Sequence, residues 1–428
     1  MARKMKDSGI EWIGEIPEGW EVAPVRSCFD EVRTKNTDGQ EQNALQFKSG
    51  NIISKANFNA NIDDYVADTI TNYTVVLPDT VMINGLNLNY DFKSLRVALV
   101  KEKGVITSAY LAIFPDRKKI SPQYATYLFK GYETKMALHN MGAGIRKTLG
   151  YKEFKNQPLL LPSEKEQNKI SAYLDSKCSH IDIMLSKIRS SIEEYKKLKQ
   201  TVITQAVTKG VRGEREMKDS GVEWIGEIPE KWNKCKLKNI SIDIGDGLHG
   251  TPKFDDSGEV YFINGNNFSS EYVEPKFDTK KLCLEESLNY PKPELTEQTI
   301  MISLNGSYGK ACLYRYFPML LGKSAGYITL LPSINRRYVR YYLSSTPAQI
   351  IMTLSLNGTT IPNLSLNTLY NFPTILPSAS EQAEIADYLD AKCAEIDRLI
   401  AKKEQLVKEL ESYKKSLIYE VVTGKREV

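Results

Sequence analysis

Residues 5–20, MKDSGIEWIGEIPEGW, return 212 positions later as residues 217–232, MKDSGVEWIGEIPEKW, with 14 of 16 positions identical. Chance does not produce a match of that length, so the chain is two copies of one plan and its fold must accommodate two equivalent frames. A second match opens at Leu161-Pro162-Ser163 and Leu376-Pro377-Ser378, 215 apart, and runs without a gap through Glu166-Gln167 and Glu381-Gln382 to Thr208 and Thr423. Between the frames lie residues 21–160 and 233–375, which share almost no identity apart from a short approach to the second repeat. Like frames around unlike contents point to two modules that contact different things. Replacement of one module by recombination leaves the same picture.

The second match has the pattern of a long helix. Leu174, Ile181, Ile188, Tyr195 and Val202 recur every seven residues, with Cys178, Leu185, Ile192 and Ala206 four residues after four of them and Lys199 interrupting the series. Adding 215 gives Leu389, Ile396, Leu410 and Leu417 with Cys393, Ile400, Val407 and Val421, interrupted by Lys403 and Lys414. Sustained heptads predict a coiled-coil seam. Its packing set is Leu174, Ile181, Leu185, Ile188 and Ile192 on one helix and Leu389, Ile396, Ile400, Val407, Leu410 and Leu417 on the other. Each helix opens on the capping-box spacing, Ser163 before Glu166 and Ser378 before Glu381. About 44 residues make a rod of roughly 65 Å. With one apolar side, such a rod is not stable alone. The two are therefore expected to pack antiparallel about a pseudo-twofold axis, with the modules at opposite ends; pairing with another chain is the alternative.

The resulting plan is a globular module over 1–162, a long helix over 163–208, a polar linker over 209–216, a second module over 217–377 and a second long helix over 378–424. Within the modules, apolar runs at 74–77, 97–100, 110–114, 260–263 and 299–302 predict strands, and Pro122 to His139 and Arg336 to Met352 predict helices. The expected class is α+β: two mixed α/β modules joined by two long antiparallel coiled-coil helices.

The chain has 428 residues, 26% of them charged, and a net charge of +4, so any basic surface is local. No run of 18 apolar residues occurs and the first residues lead into no apolar stretch, so a cytoplasmic protein without a membrane partner is expected. Cysteines 28, 178, 235, 283, 312 and 393 form no C-x-x-C pair, and His139, His180 and His249 are far apart, which argues against a metal site and for free buried thiols. Gly322-Lys323-Ser324 resembles the end of a phosphate loop, but position 317, where the first glycine belongs, is Phe. Gly142-Ala143-Gly144 lacks the third glycine of a dinucleotide fingerprint. No Asn/Asp-Pro-Pro-aromatic tetrapeptide of an amino-methyltransferase occurs. Pro115-Asp116 followed by Glu133 and Lys135 fits the loose spacing of a Mg²⁺-dependent nuclease. On the predicted helix, however, Glu133 and Lys135 point about 200° apart. A coiled-coil scaffold that binds only protein is a third reading.

The W-I-G-x-I-P-x-x-W frames, the helix starts beginning L-P-S and continuing E-Q, Y-L-D, K-C and I-D, residues 245–252 (GDGLHGTP) and residues 104–110 (GVITSAY) together resemble the specificity subunit of type I restriction-modification systems. The resemblance spans essentially the whole chain. It implies two target-recognition domains, each reading half of a bipartite site in double-stranded DNA, with the helices setting the unread gap. It also implies two DNA-methyltransferase subunits that use S-adenosylmethionine, and restriction motor-nuclease subunits that use ATP and Mg²⁺. No catalytic residue and no cofactor is then expected in this chain.

Half-site reading needs amide, hydroxyl and cationic side chains at base edges, with Lys and Arg on phosphates. The candidates in the first module are Asn84, Asn87, Asn89, Tyr90, Lys93, Arg96, Arg146 and Lys147. Those in the second are His249, Thr251, Lys253, Asn266, Asn267, Ser307, Tyr308, Lys310, Lys323, Ser324, Thr359 and Thr360. Turn formation and surface solubility are the bland readings of the same residues. All four tryptophans, Trp12, Trp20, Trp224 and Trp232, lie in the frames and are expected to pack the modules on the helix ends or to dock the methyltransferase subunits.

Overall fold

A computed structural model describes residues 3–48, 50–55, 70–92, 95–143, 147–356 and 362–428. The chain divides into two compact units, Met1–Arg189 with Gln405–Val428, and Ser190–Glu404.

In the first unit the frame is a hairpin of Met5–Asp7 with Glu15–Pro17. Its Ile16 and Trp20 are buried. The module is built on a four-stranded antiparallel sheet of β1 (Phe29–Glu31), β2 (Val81–Ile83), β3 (Val97–Leu99) and β4 (Leu111–Pro115), in the order β1-β4-β2-β3. Helix α1 (Pro122–Thr134) contributes Tyr124, Ala125, Leu128 and Phe129 to the same core. Ser121 caps it and Pro122 opens it, the residue types suited to those positions. It stops short of the predicted His139 because Met136 takes a left-handed conformation, φ 54°, before a separate turn of helix at Ala137–Met141. The long helix α2 (Glu164–Lys209) starts in this unit and runs on into the second.

The second unit repeats the design. Its frame pairs Met217–Asp219 with Glu227–Pro229, and its sheet joins β5 (Ser241–Asp246), β6 (Thr299–Ser303), β7 (Ala311–Leu313) and β8 (Ala325–Leu330) in the order β5-β8-β6-β7. This is the order of the first sheet. Two modules with almost no shared identity have one strand order, because a buried strand position requires an apolar residue of suitable size and many sequences satisfy it. Helix α3 (Arg336–Ser344) takes the place of α1. The predicted helix breaks at Ser345, which is extended ahead of Pro347 and a second helix at Thr346–Leu354. The modules differ in what is added to the sheet. The first carries the hairpin Leu45–Lys48/Asn51–Ser54, and the second a three-stranded sheet with a parallel pair, Val260–Ile263 beside Met319–Leu321. The last helix, α4 (Ala379–Val422), begins here and ends in the first unit.

Each unit contains an antiparallel stretch of α2 against α4. In the first, Leu174, Cys178, Ile181 and Leu185 share a core with Leu417, Val421 and the half-buried Val407 and Leu410. Lys414 reaches Asp182 at 2.6 Å and Arg189 reaches Glu411 at 2.5 Å, so numbering rises on one helix as it falls on the other. In the second, Ala206 and Val207 share a core with Leu389 and Cys393, and Lys199 reaches Asp397 at 2.7 Å. Ile192 and Ile396 are buried, and Ile188 and Ile400 half-buried. The three lysines that interrupt the heptads all have partners on the opposite helix: Lys199 and Lys414 in these ion pairs, and Lys403 with its ammonium 5.5 Å from the ring centroid of Tyr195. A lysine stem covers apolar surface while its charge finds a partner at the edge, so these positions belong to the seam.

The helix starts correct one expectation. Glu166 and Glu381 do not reach back to close a capping box. Glu381 accepts from the Trp232 indole at 2.9 Å and pairs with Arg215 at 2.5 Å; Glu166 accepts from Trp20 at 3.0 Å and pairs with Arg3. Beside them, the side-chain oxygen of Gln167 accepts from Ser121 N, and that of Gln382 from Asn335 N, fastening each long helix to the cap of the module helix.

Candidate nucleic-acid interface

In the first module, the Asn-rich loop leaves β2 and leads towards β3, at the end of the sheet where Ile83 faces both Val97 and Leu111. It is held from below by Arg96. That side chain is fully buried, and its guanidinium donates to the carbonyls of Asn84 at 2.9 Å, Leu86 at 2.8 Å and Asp91 at 2.5 Å. The expectation that Arg96 contacts DNA is corrected: it is the internal brace of the loop, since burial leaves it nothing to offer a solvent-side partner. The loop rests on the 147–150 turn through Leu88 N to Lys147 O (3.2 Å) and Leu149 N to Gly85 O (2.9 Å). A Cβ on Gly85 would stand 2.3 Å from the Leu149 carbonyl oxygen, so this approach requires glycine. Asn87, Tyr90 and Lys147 are exposed, whereas Asn84 and Asn89 are half-buried. Asn84 accepts from Leu86 N and so shapes its own turn. Lys93 and Arg146 lie outside the described residues.

Below the loop, Glu133 of α1 accepts from Arg96 N at 2.6 Å, and burial pushes its carboxyl up to about 7 against the opposing pull of that N–H and of Arg96. Asp116 accepts from Lys118 N and pairs with Lys119, while the Lys135 ammonium lies 4.7 Å from the centroid of the Tyr419 ring. The three residues of the nuclease reading thus have separate partners. Among the described residues no group of three or more His, Cys, Asp or Glu side chains is arranged to hold a metal.

In the second module four loops meet. Asp246↔Gly326 and Ser303↔Ala325 are opposite pairs, so the segments after β5, after β6 and before β8 emerge at one end of the sheet. Leu248 N donates to Leu321 O at 2.7 Å, and a Cβ on Gly247 would stand 2.3 Å from that oxygen, which explains a glycine in the GDGLHGTP stretch. Ser324 Oγ donates to Asn264 Oδ1 at 2.9 Å and accepts from Gly265 N at 3.0 Å. Leu304 N donates to Ser324 O, and Ser303 Oγ to Ser307 O. The exposed side chains carried by these loops are His249, Thr251, Lys253, Asn266, Ser307, Lys310 and Lys323. Asp246 orients His249 across 2.7 Å.

Asn267 is a second correction. It is buried, and its amide binds Asn264 N, Glu274 O and Thr279 Oγ1, so it shapes the turn and presents nothing outward. Ser324 is taken up in joining loops, and Tyr308 is half-buried with its hydroxyl 3.3 Å from Thr353. Thr359 and Thr360 lie outside the described residues.

The frames divide in the same way. Trp20 and Trp232 are buried, Trp12 packs edge-on to Tyr132 at 4.7 Å, and Trp224 is 45% exposed. Among the described residues no helix is long and apolar enough to cross a membrane.

Residues 229–410 match the family described as the type I restriction modification DNA specificity domain. Two curated relatives from Methanocaldococcus jannaschii extend that match over the rest of the chain: the putative type I restriction enzyme MjaX specificity subunit, 25% identical over 96% of this chain and 95% of its own, and the type I restriction enzyme MjaVIII specificity subunit, 26% identical over 96% and 93%. Over nearly its whole length the chain is similar to type I restriction enzyme specificity subunits. Specificity subunits are the DNA-recognition and not the catalytic part of their enzymes. The fold agrees with that of two solved structures. A chain from a study of complex assembly and conformational transition of the type I R-M system aligns at a TM-score of 0.71 with 15% identity, covering 96% of this chain and 99% of that one. The HsdS subunit of Thermoanaerobacter tengcongensis aligns at 0.50, also with 15% identity, covering 96% and 98%.

In this chain, sequence reasoning found the loops and missed the residues that hold them. Phe92, 57% exposed and stacked on His139 at 5.3 Å, stands beside the Asn-rich loop and carried no signal, because an isolated Phe in sequence reads as core. Ser303, which ties the loop after β6, carried none because it sits inside an apolar strand run.

Proposed function

We propose that this chain reads a bipartite site in double-stranded DNA, one half with each module, and that α2 and α4 set the length of the unread gap. The supporting observation is that both modules carry exposed amide, hydroxyl, aromatic and cationic side chains on loops at the end of a sheet of the same strand order, while the loops themselves differ. A common scaffold with different loops suits two different half-sites: amides and hydroxyls address base edges and lysines fix the phosphate register. In the first module Asn87, Tyr90 and Lys147 are assigned to this surface; in the second His249, Thr251, Lys253, Asn266, Ser307, Lys310 and Lys323.

Methylation and cleavage then belong to partners: two methyltransferase subunits supplied with S-adenosylmethionine, and motor-nuclease subunits supplied with ATP and Mg²⁺, all acting in the cytoplasm. Two copies of one partner suit a chain with two nearly identical frames, because each copy meets nearly the same surface. Methylome sequencing of cells expressing this chain with its methyltransferase subunit, against cells lacking the chain, tests the reading. A new split adenine-methylation motif is expected. Its absence with assembly and methyltransferase activity confirmed overturns the proposal.

A further inference from the structure

The α2–α4 seam carries two kinds of ion pair that respond differently to the internal duplication. Asp182 with Lys414 and Asp397 with Lys199 are one pair repeated, since 182 and 397, and 199 and 414, are equivalent positions 215 apart. Exchanging either helix for a copy of the other would leave that pair intact: Asp182 would meet Lys199, or Lys414 would meet Asp397. The second kind is reversed. Arg189 pairs with Glu411 in the first unit. The equivalent positions in the second unit are Glu404 and Lys196, so the charge at each equivalent position is inverted and the cation stays on α2 in both units. Lys196 pairs with Glu193 on its own helix at 2.9 Å, and the charge of Glu404 across the seam adds to Glu193 in raising its pKa. If α2 met a copy of itself in the same register, Arg189 would face Lys196. If α4 did so, Glu404 would face Glu411.

We infer that Arg189, Lys196, Glu404 and Glu411 form a pairing code that makes each long helix accept the other and reject its own copy. The partner selected is a helix of opposite charge at these two positions, and in this chain that is the other half of the same molecule. The Asp–Lys pairs and apolar seam supply attachment common to every pairing, while the reversed pair distinguishes among them, as flanking charges do in coiled coils. One consequence is that two unlike modules stay together, so that like halves of two chains do not combine.

The test uses the complete chain with a protease site inserted between the exposed Gly213 and Glu214 of the linker. Isotopically light and heavy protein is folded, cut and mixed, and native mass spectrometry counts mixed and like pairs of halves. The unmodified sequence is expected to give mixed pairs. Arg189→Glu with Glu404→Lys, which conserves net charge, reverses the code and is expected to move the ratio of mixed to like pairs towards like pairs by about tenfold or more, given four altered contacts of a few tenths of a kcal/mol each. Adding Glu411→Arg and Lys196→Glu is expected to restore it. An unchanged ratio in the double variant, or no restoration in the quadruple, overturns the inference. The uncut chain gives an independent reading. Arg189→Glu lowers the melting temperature, Glu411→Arg added to it restores the loss, and Glu404→Lys added instead deepens it; failure of Glu411→Arg to restore counts against the code.

Discussion

The indole N–H of Trp232 donates to the Glu381 carboxylate at 2.9 Å, joining the repeat frame to the first turn of α4. Glu381 is 6% exposed and also binds Arg215 at 2.5 Å, so one carboxylate serves a buried N–H and a cation from the linker. Removing it strands both. Glu381→Ala is expected to destabilise the second unit by about 3 kcal/mol, whereas Glu381→Gln, which retains an acceptor for the indole, costs less. Hydrogen exchange over residues 217–236 with increasing urea measures the difference, and equal losses in the two variants would contradict the assignment.

Glu133 makes the first unit sensitive to pH. Its carboxyl is raised to about 7 in the folded chain by burial, above its unfolded value near 4.3. The folded state therefore holds the proton more tightly. The resulting stability is fully present below about pH 4 and is lost as pH rises through about 7, on the order of 4 kcal/mol in all. Glu133→Gln, which still accepts from Arg96 N, is expected to remove this slope between pH 4 and 7. Urea midpoints at several pH values, compared between the two proteins, check it.

Arg96 and Asn87 share a loop but act differently. Arg96→Ala leaves the buried carbonyls of Asn84, Leu86 and Asp91 without their donor and is expected to cost about 3 kcal/mol, abolishing recognition of the first half-site while the second is still read. Asn87→Ala, at an exposed position, is expected to leave stability within about 0.5 kcal/mol and to relax the first half-site alone. Unfolding midpoints and methylation motifs of the two variants decide it.

Lys323 and Asn266 are exposed on adjoining loops of the second module. Lys323→Ala is expected to weaken binding to all sequences and to reduce the salt dependence by about one counterion. Asn266→Ala is expected to relax only letters of the second half-site. Affinity measured at several salt concentrations, on specific and non-specific duplexes, separates the two outcomes.

Inserting one heptad at equivalent positions in α2 and α4 lengthens the pair by about 10 Å, the rise of about three base pairs. The gap between half-sites is expected to grow by that amount with both half-sites unchanged. A change of half-site letters would count against the helices as a spacer.

Much of this molecule was legible in its sequence, for reasons that differ by element. The frames and helices were readable because they are periodic and duplicated: Leu174, Ile181 and Ile188 repeat at seven, and the same stripe returns 215 residues on. The modules were legible only as α+β. Short apolar runs such as Val97–Leu99 and Thr299–Ser303 identify strands, but their order depends on pairings between residues far apart in the chain. That the two modules have one sheet order could not be read from segments without identity.

Sequence alone determined the duplication, the heptad stripes, the chemistry of the loops and the family resemblance, because each is a property of residue type and spacing. Tertiary structure decided which of those residues face outward. Arg96 and Asn267 have the side chains of a DNA reader and are buried as braces, while Lys199 and Lys414 look like breaks in a seam and close it with Asp397 and Asp182. The physical reason is common to all four. A polar side chain can satisfy its hydrogen bonds or its charge on solvent, on a ligand or inside the fold, and only the position of partners brought from distant parts of the chain selects among them.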